Sequence, residues 1–146
     1  RAIHGDKTQN ARQEALKSIH RIGGLQKGKL LIPALSKSDD DFKAAIVDVL
    51  GQAKTVEAVD ALLQLLKDRP LVASAARQTL EEKICLALGT IGSPDAIPIL
   101  SEIAESKTFL GLRSYPEKIK GAAAKTLVIL RRKVAESGRD VSSPKP

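Results

Sequence analysis

Residues 23–29 read Gly-Gly-Leu-Gln-Lys-Gly-Lys and follow a phosphate-loop template, with Gly23, Gly28 and Lys29 at its fixed positions. That loop cradles phosphates with backbone N–H groups, and it needs a preceding strand and a following Ser or Thr to hold magnesium. Here the next residue is Leu30 and the segment before it has a helical pattern, so the stretch reads as an inter-helix turn. His4 and His20 are the only histidines and Cys85 is the only cysteine. None of them pairs with another at metal-ligand spacing. His20 lies beside an apolar stripe where related segments carry Gly51 and Gly89, which points to a packing or surface role. Cys85 follows Ile84 in a stretch with buried character and reads as a small core residue rather than a nucleophile. The expectation is therefore no catalytic residue, no metal, no cofactor and no enzyme activity.

Charge offers a second kind of chemistry. The net charge is +7. Residues 110–146 carry nine Lys/Arg and three Asp/Glu, whereas residues 1–109 carry 15 and 14, so the basic character belongs to the C-terminal quarter. A groove that tracks phosphates should keep one sign along its length. Aligned helices instead give the rows Arg12, Lys43, Glu81, Lys120 and Lys17, Asp48, Leu86, Lys125, both broken in the middle. Few aromatics are available for stacking bases: Phe42, Phe109 and Tyr115 are the whole set. Arg131, Arg132 and Lys133 lie near an expected helix C-terminus, where the dipole favours cations; a solvated cap and a polyanion contact both fit them.

The elements that must position these residues are helices. A chain of 146 residues with 42% hydrophobic content suffices for one folded unit. Without Trp or Met, its packing falls to Leu, Ile, Val and Ala, which suits thin helical layers. No apolar run approaches the roughly 20 residues a membrane helix needs. A lone cysteine suits a reducing cytoplasm. The chain opens on Arg1 and lacks Met, which reads as a piece of a larger protein.

Two patterns alternate. Leu31 to Leu35, Ala58 to Leu62 and Ala96 to Leu100 resemble one another early in amphipathic helices. Ser18 to Gly23, Val49 to Gly51 and Ala87 to Gly92 form the second set, with residues 126–130 as a weaker copy. Its anchors Ile19, Leu50, Leu88 and Leu127 are 31, 38 and 39 residues apart, the length of a helix–turn–helix unit. Leu80, Ile84, Ala87, Leu88 and Ile91 form one apolar stripe. Gly92 stops that helix, Ser93 caps the next, Pro94 takes its first position and Asp95 faces its positive end. Thr55 with Glu57 repeats the start signal, Asp39 or Asp40 opens another helix, and Asp6 with Gln9 suits a capping box. Pro33 and Pro98 sit in first turns or kink their helices. The spacing predicts helices over 7–22, 24–37, 40–53, 55–68, 74–91, 94–106 and 116–136.

The string from Ala87 through Leu100 joins one unit's second helix to the next unit's first, and with the alternating patterns over about residues 7–136 it resembles the HEAT repeat family in its bacterial HEAT-like, phycobilisome-lyase-like form. The resemblance implies an all-α superhelix of about three to four helical hairpins over residues 1–137, with a disordered tail or linker at 138–146. Some HEAT enzymes bind iron through His-Glu pairs; no His-Glu dipeptide occurs here, so that activity is not carried over. No pigment-handling motif occurs either. What the resemblance implies is a scaffold or adaptor that binds another protein without catalysis, with nucleic-acid or other polyanion binding through the C-terminal repeat as the rival.

Two units are stretched between their paired helices, near 69–76 and 106–116. Insertions in repeat proteins often map to the binding face. The second contains Phe109, Leu110, Leu112 and Tyr115. Phe109, Leu112 and Tyr115, with Lys118, Lys120 and Lys125 facing an acidic partner, are the candidate partner-binding residues; the alternative is that Phe109 and Leu110 fold back over the last unit's core. Arg131, Arg132 and Lys133 are the candidate polyanion contact.

Overall fold

A computed structural model of the chain describes residues 26–106 and 115–142, together with isolated helical positions at 11, 13, 14 and 17. Six helices follow in order: α1 (Gln26–Leu35), α2 (Asp40–Gln52), α3 (Val59–Lys67), α4 (Ala75–Ile91), α5 (Ile97–Ala104) and α6 (Glu117–Ser142). Short 3-10 turns at Val56–Ala58 and Pro94–Ala96 lead into α3 and α5. There is no strand among the described residues, and the fold is an all-α solenoid.

Local chemistry sets the boundaries. The Asp39 carboxylate accepts the Phe42 N–H at 2.9 Å and opens α2. The Ser74 hydroxyl accepts the Arg77 N–H at 3.1 Å and opens α4. Each satisfies a donor that the first helical turn leaves free. Gly92 ends α4 at φ 83°, in the left-handed region where a Cβ is strained. The Ser93 hydroxyl then accepts the Asp95 N–H at 3.3 Å. Thr55 departs from expectation. It stands before the turn into α3, but its hydroxyl makes no capping bond and is buried without a partner.

The two prolines separate. Pro98 is in the first turn of α5, where its missing N–H costs nothing. Pro33 is inside α1, two residues before its end. Helix α6 continues through Ser142, past the expected end at 136, so the backbone of 138–142 is helical where the sequence suggested a tail. The nearest proline is Pro144, and Gly138 alone costs a helix only about 1 kcal/mol.

Packing makes three hairpins, α1–α2, α3–α4 and α5–α6, with the second helices α2, α4 and α6 side by side in one layer. Close approach within this layer depends on two glycines. A Cβ on Gly51 would stand 3.1 Å from the Ala87 Cβ, and one on Gly89 would stand 3.0 Å from the Thr126 Cγ2. With the helices that close, the Thr126 hydroxyl donates to the Cys85 carbonyl at 3.0 Å. Lys83 Nζ reaches Asp48 at 2.8 Å and ties α4 to α2 at the surface. The stripe of Leu80, Ile84, Ala87, Leu88 and Ile91 is buried, and the anchors Leu50, Leu88 and Leu127 share one core with Leu62, Leu100 and Leu130. At about 25 cal/mol per Å² of apolar surface removed from water, such side chains supply the main favourable term.

Candidate functional site

The connection after α3 and the described residues Ser106 and Tyr115 that flank the second stretch lie at one edge of the stack. The end of α3 supplies Leu66 and Lys67 there, and the connection after it supplies Arg69, Pro70 and Leu71. Helix α5 presents Ile99, Glu102 and Ile103, with Ser106 just beyond its end, and Tyr115 stands just before α6. Together they line a groove of about 490 Å³ between the first helices of successive hairpins. Its wall is aliphatic, and its polar groups are Lys67, Arg69, Glu102, Ser106 and Tyr115, the mixture typical of a binding groove. The Ser106 Oγ is buried there without a hydrogen-bond partner.

Beneath the groove lies a buried ionic cluster. Glu81 is 0% exposed. Its Oε1 accepts from Arg69 Nε at 3.1 Å, and its Oε2 accepts from Arg77 Nε at 3.3 Å. Arg77 also donates to the Leu65 carbonyl, anchoring α4 to α3. Two guanidiniums on one carboxylate offset the cost of taking it out of water. Arg69 does a second job, because its guanidinium lies 4.5 Å from the centre of the Tyr115 ring. Cation–π contact therefore links the start of α6 to the α3–α4 connection. Burial pushes the Tyr115 phenol above its ordinary value, with the Arg69 charge pulling it back.

Tyr115 is thus half-buried against the core, while Lys118 and Lys125 are exposed. Lys120 is partly covered and stands 4.0 Å from the Glu117 carboxylate. Phe109, Leu110 and Leu112 lie outside the described residues, as do His4, His20 and residues 23–25; the backbone of 26–29, read from the sequence as part of an inter-helix turn, belongs to α1. Arg131, Arg132 and Lys133 are exposed. They are not in the last turn of their own helix, since α6 runs on to Ser142. Arg131 donates to the Ser101 hydroxyl at 3.1 Å, and the Lys133 ammonium lies against Gly92 at the C-terminal end of α4. The cation favoured by a helix dipole here serves a neighbouring helix.

One reading changes, at Glu81, while Cys85 is the core residue the sequence suggested. Glu81 does not belong to a surface row with Lys43 and Lys120, because it is fully buried under two arginines. Its pairing with Arg77 at four-residue spacing was visible in the sequence; its pairing with Arg69, across the connection, was not. Cys85 is buried, and burial followed by the nearby Glu81 and Glu82 charges pushes its thiol up to about 12.

The iron chemistry of some HEAT enzymes requires clustered ligands. Among the described residues no group of three or more His, Cys, Asp or Glu stands close enough to hold a metal ion. Glu81 is committed to Arg69 and Arg77, and Cys85 holds its proton, so these residues do not fit a resident metal. No described helix is long and apolar enough to cross a membrane.

Stacked hairpins sharing one continuous core define an α-helical repeat protein. Residues 1–81 match the family described as HEAT repeats, and residues 86–106 match the PBS lyase HEAT-like repeat. The chain belongs to the HEAT repeat family. It is also similar to deoxyhypusine hydroxylase of Drosophila melanogaster, with 36% identity over 98 residues, covering 62% of this chain and 28% of that protein. No solved structure matches the chain. The relative corrects the functional expectation. It is an enzyme, so the reading of a non-catalytic scaffold with polyanion binding as its rival, and of no link to enzyme activity, does not stand. That reading rested on the missing His-Glu dipeptide, and the similarity extends across residues that carry no such signature.

Proposed function

We propose that this chain serves a HEAT-repeat hydroxylase related to deoxyhypusine hydroxylase, and that its described residues hold the substrate rather than a metal. The observation that carries the proposal is the 36% identity over 98 residues. The chain spans 28% of that relative's length, so the whole protein's activity enters here as part of the proposal. The groove supports a holding role. Leu66, Leu71, Ile99 and Ile103 form an aliphatic wall for an extended side chain, and the exposed Glu102 carboxylate at its margin is available to accept hydrogen bonds from a bound amine. The Arg69–Tyr115 contact, braced from below by Glu81, fixes one side of the groove before anything binds. A protein partner bearing that side chain would also meet Tyr115, Lys118, Lys120 and Lys125. A reducing cytoplasmic setting, which the lone thiol suits, belongs to the same proposal.

The test is a calorimetric titration of the chain with a peptide bearing deoxyhypusine and with the same peptide bearing lysine. The proposal expects tighter binding of the deoxyhypusine peptide and a loss of that preference in Glu102→Ala. Equal affinity for both peptides, or an unchanged preference in Glu102→Ala, overturns it.

A further inference from the structure

Helix α6 packs on α4 and α5, and among the described residues its opposite face is exposed. Gly51 of α2 meets Ala87 of α4, and Gly89 of α4 meets Thr126 of α6, so each helix turns its glycine toward the next. Gly89 follows Gly51 by 38 residues and Thr126 follows Ala87 by 39. The same step from Gly89 reaches Val128, which therefore points away from α4, toward the place a further helix would take. Val128 is 57% exposed and Ile129 beside it 47%. One and two turns earlier on that side stand Ala124 and Gly121, both exposed, and a Cβ added to Gly121 meets nothing within 4 Å. Gly121, Ala124 and Val128 recur at the spacing of one helix face. The charges around this stripe are mostly basic: Lys118, Lys120, Lys125, Arg131 and Arg132 flank it, with the exposed Glu117, one turn before Gly121, lying 4.0 Å from Lys120.

We propose that the outward face of α6 docks an amphipathic helix of a partner protein, with its apolar stripe on Gly121, Ala124 and Val128 and acidic residues on its flanks. Two observations select this occupant. The face continues the packing register of the α2–α4–α6 layer, so it presents a helix-shaped seat. Its cationic rim complements an acidic helix and repels a second copy of this chain, whose net charge is +7. Val128 in place of glycine holds the docked helix further out than α2, α4 and α6 hold one another, so its contacting side chains should be larger than the Ala87 and Thr126 that meet Gly51 and Gly89. This face shares Lys118, Lys120 and Lys125 with the partner contact proposed above, but its seat on Gly121, Ala124 and Val128 is not part of the groove lining and does not depend on the hydroxylase proposal.

The probe is a fluorescein-labelled synthetic helix with Leu at positions i, i+3, i+4 and i+7 and Glu on both flanks, compared with a peptide of the same composition and scrambled Leu positions. Anisotropy titration of the intact chain should show the patterned helix binding about tenfold or more tightly than the scrambled one, a difference of about 1.4 kcal/mol. Val128→Asp should remove that difference while far-UV circular dichroism stays unchanged, because the side chain is already exposed. Gly121→Arg, which fills the seat without adding negative charge, should do the same. Equal binding of both peptides marks a polyanion surface and overturns the proposal. So does absence of binding, or full binding by both variants.

Discussion

The layer formed by α2, α4 and α6 and the groove edge beside Arg69 and Tyr115 belong to the same molecule but are held together by different physics. In the layer, glycines at 51 and 89 let helices approach until apolar side chains fill the space, and few polar groups are involved. At the edge, a fully buried carboxylate gathers two arginines, a backbone carbonyl and a tyrosine ring across three segments. Packing of the first kind tolerates approximate partners, while the second fails when a single member is removed. A stack of near-identical hairpins thereby gains one place with an individual shape and polarity, and that place is the candidate site.

The largest expected effect breaks the edge. Glu81→Ala leaves Arg69 and Arg77 without their counter-charge in a buried setting and should cost about 3–5 kcal/mol in urea denaturation. A loss below about 1 kcal/mol would mean the cluster is solvated and the contrast is false. Next comes the layer, where two glycines should respond in opposite directions. Gly89→Ala drives a methyl group against Thr126 and should cost roughly 1–2 kcal/mol. Gly121→Ala meets open space within a helix and should gain up to about 1 kcal/mol. Equal responses would show that Gly89 does not set the helix separation. Ser93→Ala removes the hydroxyl that accepts the Asp95 N–H and should cost about 1 kcal/mol in the same assay. The smallest effect is a pH slope. The Cys85 thiol is raised in the fold from 9.0 to about 12, so its protonated form is favoured there. Stability should be complete below pH 9 and decline as pH rises from 9 toward 12, where the unfolded chain releases a proton that the folded chain retains. Cys85→Ala should flatten that part of the profile, measured by thermal melting.

Much of the layer was legible in the sequence because its determinants are local and periodic. Leu50, Leu88 and Leu127 repeat at near-constant spacing, and Gly92, Ser93 and Pro94 mark a boundary with types that have few other uses. The ends of α6 and α1 were less legible, since Gly138 and Pro33 weaken a helix without fixing where it stops. The edge was mostly illegible. Tyr115 was visible as a rare aromatic, but nothing in its neighbours announced Arg69, 46 residues away, as its partner. Glu81 was misplaced because helical phase alone puts it beside Lys43 and Lys120, and its burial depends on an arginine delivered by a connection of irregular length. Function was legible only as far as the repeat pattern reached.

Tyr115 is the chain's single tyrosine and there is no tryptophan, so its fluorescence reports the groove edge alone. Following urea unfolding by that fluorescence and by far-UV circular dichroism tests whether the edge is built into the stack. One cooperative core predicts coincident midpoints, with Glu81→Ala shifting both together. A tyrosine signal that reaches its unfolded value while helicity is still intact would show that the groove forms separately from the hairpins that carry it.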